Sequence, residues 1–491
     1  MTDLPPGWAE VRTDEAGQLD LGRQRSPKYH IGSNMKPYLR VANVFEDRID
    51  STDVKSMHFE PADFERFRLQ PGQVLLNEGQ SPEFLGRPAL YRGQPPNVAF
   101  TNSLIRFRPI AGISPEWALL TFRHHMHSGR FKRESRITTN IAHLSANRLA
   151  SVEFRVPPTA EQERIVTAIE EAFSKLEAGE ALLRTTRQGL KRLRESVLAA
   201  AVTGRLVPQD PTDEPASKLL ANLGVAAADQ LDQPIPPVGW CWAAIQVIAS
   251  PEKHSMAIGP FGSDLKVSDY RAEGVPLVFV RDIRRRDFTA PRQFVSHEKA
   301  EALLAHRVVS GDVLVTKMGE PPGDTALYRS SLPAVITADC IKITPGAAIR
   351  ADFLSLAISA GETRRQVVDL ASGVAQQKVT LGGFRRLPVP VPPLAEQRRI
   401  VAEVERQFSF IDACERTVDV GLARSAALRR SILKSAFEGR LVPQDPTDEP
   451  AAALLDRIQA ERETDRRVPK PHRRQKLQAL TPTADLTTER D

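Results

Sequence analysis

The stretch RVPPTAEQERIVTAIEEAFSKLEAGEALLRTTRQGLKRLRESVLAAAVTGRLVPQDPTDEPA, residues 155–216, decides the fold because the chain contains it twice. Its last thirteen residues, GRLVPQDPTDEPA at 204–216, return unchanged at 439–451, 235 residues later. The same offset lays PVPPLAEQRRIV (390–401) on RVPPTAEQERIV (155–166), Phe408 on Phe173, and LRRSILKSAFEGR (428–440) on LRESVLAAAVTGR (193–205). No gap is needed anywhere between these anchors, so the match is a duplication and not a chance likeness.

Each copy reads as one long helix. Pro157-Pro158 and Pro392-Pro393 end the strand before it, and Gly204 or Gly439, with Pro208 or Pro443 four residues on, ends it. Thr159 and Gln162 have the spacing of a capping box, which the second copy breaks by placing Leu394 where Thr159 stands. The length, about 45 residues, corresponds to about 65–70 Å of helix, and a helix of that length inside a globular protein needs a partner. A heptad supplies one. Ile169, Leu176, Leu183, Leu190 and Val197 fall seven apart, with Ile165, Ala172, Leu193 and Ala200 at the companion position. In the second copy Val404, Ile411, Val418, Ser425 and Ile432 repeat the series, with Ile400, Cys414, Leu428 and Ser435 beside them. One narrow apolar seam on each helix predicts that the two pair with each other, antiparallel, and not on separate cores.

The segments before the helices diverge but follow one plan. Both open on a Pro-Pro-Gly-Trp-like run, Leu4 to Trp8 and Ile235 to Trp240. KPYLRVANV (36–44) matches VPLVFVRDI (275–283), PGQVLLNEG (71–79) matches SGDVLVTKMG (310–319), and NSLIRFRP (102–109) matches ADCIKITP (338–345). Apolar residues alternating with polar ones between Gly and Pro predict half-buried strands. Helices are expected at 115–125 and 351–370. The fold class is therefore α+β: two mixed, mostly antiparallel β-rich modules on two long antiparallel coiled-coil helices, related by an internal pseudo-two-fold repeat. The expected domains are a first module at 1–157, a long helix at 158–204, a linker with a short helix at 205–235, a second module at 236–392, a second long helix at 393–439, and a short helix with a basic, disordered tail at 440–491.

Composition narrows the function. A net charge of +6 and a pI near 9.2 permit an acidic partner without proving one. Cys241, Cys340 and Cys414 form no C-x-x-C pair, which argues against a zinc site or a disulfide framework and for a reducing compartment. The start MTDLPPGW has neither the basic nor the apolar region of a signal peptide, and no apolar run approaches a membrane span, so a cytoplasmic protein is expected. No phosphate-binding loop is present. The turn Gly259-Pro260-Phe261-Gly262-Ser263 lacks the donor and the helix start that a phosphate cradle needs, and no acidic or Asn residue followed by Pro-Pro-Tyr or Pro-Pro-Phe supplies an adenine-methyltransferase pocket. Asp210, Glu214 and Lys218 resemble a nuclease's carboxylates and lysine, but the second copy replaces the lysine by Ala453 and leaves a Pro-rich acidic turn. His124, His125 and His127 lack a second ligand cluster and read as a surface helix end.

Two β-rich modules, each followed by a long helix entered through P-P-x-A-E-Q-x-R-I-V, resemble the specificity subunit of type I restriction-modification enzymes. Pro157, Pro158, Glu161, Gln162 and Ile165, then Pro392, Pro393, Glu396, Gln397 and Ile400, carry the likeness, which covers residues 1–458. GPFGSDLKVSDY (259–270) with GVPLVFVRDI (274–283) adds a resemblance to the opening of a target-recognition domain. The resemblance implies a non-catalytic subunit that reads a bipartite target in double-stranded DNA. It implies as partners two copies of a methyltransferase subunit and a translocase-nuclease restriction subunit, with no membrane. S-adenosylmethionine, ATP and Mg would sit on those partners, none on this chain. The assembled complex would be an adenine methyltransferase and an ATP-dependent endonuclease. A coiled-coil scaffold would explain the helices but not two basic modules, and an enzyme acting alone on DNA lacks a site.

Lys and Arg meet phosphates, and Arg, Lys, Asn and Gln read base edges. The expected DNA contacts are Arg130, Lys132, Arg133, Arg136 and Asn140 in the first module. In the second they are Arg281, Arg284, Arg285, Arg286, Lys317, Gln376, Gln377 and Lys378.

Overall fold

The computed structural model describes residues 4–138, 141–222, 224, 233–319, 321–372 and 378–467. It divides into two compact units, 1–180 with 423–491, and 181–422. Each long helix, Thr159–Val202 and Leu394–Phe437, therefore contributes to both units. No described helix is long and apolar enough to cross a membrane.

In the first unit four antiparallel strands lie in the order Gly17–Leu21, Leu104–Pro109, Gln73–Asn77, Pro88–Tyr91. A second sheet sets Ala99–Phe100 parallel to Met35–Leu39, with Lys55–His58 antiparallel on the other side. Trp117, Phe107, Phe122 and Phe154 fill the main core, and the helix Pro115–His127 covers it. In the second unit the strands Met256–Ile258, Cys340–Ile343, Val313–Thr316 and Thr325–Leu327 lie side by side and antiparallel. The next sheet again holds one parallel pair, Val275–Val278 with Ala334–Ile336. Its core is built on Phe353, Phe384, Ile341 and Val315. The helix expected at 351–370 is two, Ala351–Ser359 and Gly361–Asp369, because Ala360 takes an extended backbone between them.

The helix-entry motif has a structural meaning in both units. The Trp8 indole donates to Glu161 at 3.0 Å, and that of Trp240 to Glu396 at 2.9 Å. Gln162 donates to the carbonyls of Gly112 and Pro157 and accepts from the Ser114 amide. Gln397 donates to those of Ala348 and Pro392 and accepts from the Arg350 amide. Gln162 thus clamps the strand to the helix and does not close the expected capping box. The Thr159 hydroxyl adds a bond to the Gly112 carbonyl at 3.3 Å, which Leu394 cannot make, while Gln397 keeps the clamp itself. Arg164 pairs with Asp448, and Arg399 with Asp213, each at 2.6 Å.

The GRLVPQDPTDEPA segments finish the units. The Ala451 amide donates to the Gly7 carbonyl, and the Ala216 amide to that of Gly239, both at 2.9 Å. The helices Ala216–Asn222 and Ala451–Arg467 follow. Asp210 accepts from the amide and hydroxyl of Thr212, and Lys218 pairs with Glu214 on the surface, so these side chains serve the turn.

Contacts between the long helices run antiparallel within each unit. In the second, Arg187 pairs with Asp419 and Arg194 with Asp412, around a buried group of Leu190, Ile411 and Val418, with Leu183 at its edge. Val197 and Val404 are buried in the main core of that unit. In the first, Glu180 accepts from the hydroxyl of Ser425 and from Arg429. There Ile169 is buried, while Leu176 and Ile432 are half-buried. Leu193 and Leu428, expected in the seam, are 43% and 42% exposed. Close to Leu193, Arg194 lies over the Phe408 ring at 4.6 Å, so a cation–aromatic contact closes that part of the helix face.

Candidate nucleic-acid interface

In the second unit the short helix Val280–Arg285 starts where Asp282 accepts from the Phe279 amide at 2.9 Å. It lifts Arg281, Arg284 and Arg285 to the surface. Arg281 lies 4.4 Å over Phe279 and near Asp282, and Arg284 pairs with Asp324 at 2.8 Å. Asp324 also binds Arg364 at 2.6 Å, so one carboxylate holds two guanidiniums. Arg285 is exposed, with no ion pair among the described residues. Arg286 ends the helix in a left-handed backbone and turns toward a cavity of about 590 Å³ beside Arg329, Glu405 and Phe408.

Lys317 and Lys378 meet next to this helix. The Val379 amide donates to the Lys317 carbonyl at 3.1 Å, and Met318 bridges Lys378. A side chain at Gly319 would collide with the Arg284 guanidinium, which brings Arg284 to the same edge. Arg284 and Arg364, the second not named from the sequence, thus meet on Asp324 beside the strand edge that carries Lys317 and Lys378, and Arg281 and Arg285 lie on the same short helix as Arg284. Gln376 and Gln377 lie outside the described residues.

The first-unit cluster is more divided. Arg130 is held by Glu153 at 2.7 Å and Glu134 at 2.5 Å, and these two carboxylates raise its pKa above the ordinary guanidinium value. Lys132 and Arg133 are exposed on the helix Arg130–Glu134. Arg136 opens the strand Arg136–Thr138, and Asn140 lies outside the described residues. That strand, Ile141–His143 and Gly79–Gln80 form a small sheet.

Hydrogen bonds equate positions in the two units. The Glu78 amide donates to Ser103 and its carbonyl accepts from Leu144, as Lys317 does with Asp339 and Val379. The Asn77 amide donates to the Arg87 carbonyl and its carbonyl accepts from Gly86, as Thr316 does with Asp324 and Gly323. Asn43 accepts from the Arg40 amide as Asp282 accepts from Phe279. Phe45 therefore stands where Arg284 stands, Arg87 where Asp324 stands, and Glu78 and His143 where Lys317 and Lys378 stand. Arg87 lies 4.8 Å over the Phe45 ring, and Arg48 lies 4.6 Å from it. The aligned strands PGQVLLNEG and SGDVLVTKMG already set Glu78 on Lys317. A search for basic clusters passes over Glu78 because it is acidic.

The histidines are not an open helix end. His125 is buried and contacts the Glu153 carbonyl at 2.9 Å, His124 stacks on Phe437 at 4.4 Å, and His127 meets Glu46 at 2.8 Å. Burial, with the Arg155 charge, pushes the His124 pKa down to about 4. Burial does the same to His125, also to about 4. Burial would raise the pKa of Glu46, but His127 and Arg123 together draw it down to about 2. Among the described residues no group of three His, Cys, Asp or Glu side chains could hold a metal ion.

No family model matches the chain. The type I restriction enzyme EcoBI specificity subunit of Escherichia coli is 29% identical over 337 residues, 66% of this chain and 68% of that one. The EcoKI specificity subunit of Escherichia coli strain K12 is 23% identical over 94% of this chain and 96% of its own length. Among solved structures, a chain described under the assembly and conformational transition of the type I R-M system aligns at TM-score 0.69 and 19% identity. That alignment covers 89% of this chain and 99% of the other. The HsdS subunit of Thermoanaerobacter tengcongensis aligns at TM-score 0.52 and 19% identity, over 89% of this chain and 98% of the other. The resemblance carried by the repeated helix-entry motif is thus borne out.

Proposed function

We propose that this chain, a relative of the type I restriction-modification specificity subunits, is the subunit that selects the DNA sequence, and that it performs no chemistry itself. Residues 1–157 and 236–392 act as target-recognition domains, each reading one half of a bipartite target in double-stranded DNA. The helices at 158–204 and 393–439 pair as an antiparallel coiled coil and set the spacer between halves. The segments 205–235 and 440–491 link and finish the two copies of a pseudo-two-fold repeat. Two methyltransferase subunits, carrying S-adenosylmethionine, and a translocase-nuclease subunit, using ATP and Mg, complete the complex. In that complex the chain directs adenine methylation and ATP-dependent cleavage.

One observation carries this reading. Equivalent backbone positions in the two units hold unlike side chains, Arg284 against Phe45 and Lys317 against Glu78. A shared frame with divergent surface chemistry is what two readers of different sequences require, since the base edges of each pair present distinct donors and acceptors in the major groove. The test is a chimera in which residues 1–157 come from a relative of known target, expressed with the methyltransferase subunits. Methylation mapping should show one half of the target replaced and the other half and the spacer retained. A change in both halves, or in neither, overturns the assignment.

A further inference from the structure

The hairpin edge of the first unit raises a question that the basic clusters do not answer. Glu78 and His143 stand on the frame positions of Lys317 and Lys378, fixed by the same pair of backbone hydrogen bonds. The Glu78 carboxylate is 26% exposed and the His143 ring 46%, with Oε2 and Nδ1 3.4 Å apart. Gly79 sits between them, and a β-carbon there would meet the His143 ring at 3.0 Å, so the ring is drawn in against the strand. Arg136–Thr138 and Ile141–His143 pair antiparallel, and Gly79–Gln80 joins Ile141–His143 as the third strand, so Glu78 stands at the end of a small β-sheet, and β-strands are elements that the major groove admits. Lys132 and Arg133 are exposed on the short helix just before that ribbon and suit neighbouring phosphates.

We propose that Glu78 is a specificity-determining residue of the first unit, accepting a hydrogen bond from an exocyclic amine in the major groove, cytosine N4 or adenine N6. His143 positions it. The inference rests on the proposed role of the chain as a DNA reader. An ionised carboxylate can only accept, whereas Lys317 and Lys378 can only donate. The two units thus present opposite hydrogen-bond characters at one frame position. A lysine there selects the acceptors of guanine or thymine, and a glutamate selects an amine.

The experiment begins from the methylation motif of the parent chain with its methyltransferase subunits. A parent that directs no bipartite methylation overturns the reader assignment and this inference with it. With the motif known, binding of the assembled complex is measured on duplexes that lack one amine at a time. 2-Aminopurine replaces adenine, and a 2-pyrimidinone nucleoside replaces cytosine. For the parent, one substitution within the first unit's half-site should weaken binding by about tenfold or more. Whether the sensitive base is adenine or cytosine identifies the amine. Glu78→Ala should lose that sensitivity while keeping its response to changes in the other half-site. His143→Gln, which alters the positioning group alone, should reduce the sensitivity without abolishing it. If the parent tolerates every amine deletion in that half-site, or Glu78→Ala remains as sensitive as the parent, Glu78 does not read a base.

Discussion

The two units share a strand order and differ most where they meet solvent. Arg284, Asp324 and Arg364 form an ionic chain on the second, and at the matching place on the first, Arg87 and Arg48 flank the Phe45 ring. The buried frame tolerates far less change. Glu161 and Glu396 each accept from a Trp indole, and Gln162 and Gln397 each bind three backbone groups. A buried amide or carbonyl left without a partner costs about 1–3 kcal/mol, so these side chains must recur wherever the frame recurs. A solvated arginine has no such constraint, so the surfaces are free to diverge in what they bind.

The helices also differ between units, and that difference gives the largest expected effect. Leu190, Ile411 and Val418 make a dry cluster in the second unit, whereas Glu180, Ser425 and Arg429 make a polar contact in the first. Ile411→Asp would bury an unpaired carboxylate and should cost about 3–5 kcal/mol. Leu176→Asp, half-buried with charged neighbours, should cost about 1 kcal/mol. Denaturant unfolding combined with hydrogen exchange resolved by unit checks both. Equal losses would mean that the seam is uniform and that the dry cluster has no special weight.

This contrast marks how far the sequence could be read. Period-seven leucines revealed a seam, but Leu193 and Leu428 fit the pattern and are exposed. An apolar residue at the right spacing does not say whether an arginine such as Arg194, laid over Phe408, will close the face in its place. The duplication exposed Gln73–Asn77 with Val313–Thr316 and Leu104–Pro109 with Cys340–Ile343, because runs of Val, Leu and Ile must face a core. Of the strand expected at 275–283 only Val275–Val278 forms, since a helix capped by Asp282 starts at Val280, and the one expected at 36–44 ends at Leu39. The candidate binding face was legible only in part. Arg281, Arg284 and Arg285 fall on one short helix and stand out as a run, while Lys317 and Lys378 join them through a strand bridge formed across sixty residues of chain. Arg130 belonged to an equally basic string, yet two glutamates, one of them distant in sequence, hold its charge within the fold. Ion pairs between distant residues are what a linear reading of charge cannot foresee.

Acid should separate the units next. Half-buried His124 and buried His125, with pKa values near 4, cost nothing while neutral. Their unfolded values are near 6.5, so the stability they contribute is present above that pH and is lost as pH falls toward 4. Glu46, drawn down to about 2, adds stability that is present above about 4.5 and lost as pH falls toward 2. In the second unit burial likewise lowers the His306 pKa, but the Asp312 pKa is raised by its burial, so that carboxylate favours the folded state at low pH. Hydrogen exchange at pH 7 and pH 5 should show protection falling further in the first unit. Glu46→Gln should reduce the further loss below 4.5. Equal sensitivity of the units, or a greater loss in the second, would remove the histidines from the explanation.

The smallest expected effect concerns single arginines, and it separates the two kinds of basic residue most cleanly. Arg285 is exposed, with no ion pair among the described residues, so Arg285→Ala should shift stability by no more than about 0.5 kcal/mol. If Arg285 meets a phosphate, each such contact releases condensed counterions. The plot of log affinity against log salt should then become shallower by about 0.9, with affinity lowered alike on target and non-target DNA. Arg130 is the converse. Its guanidinium hydrogen-bonds Glu153 and Glu134, so Arg130→Ala leaves two carboxylates without their partner and should cost about 2 kcal/mol. The salt slope should stay as in the parent, because that charge is already neutralised within the fold. Binding titrations of the assembled complex across a salt series, beside unfolding of the same variants, measure both quantities. A shallower slope for Arg130→Ala with stability intact would reverse the assignment, since it would place on DNA an arginine that this fold holds for itself.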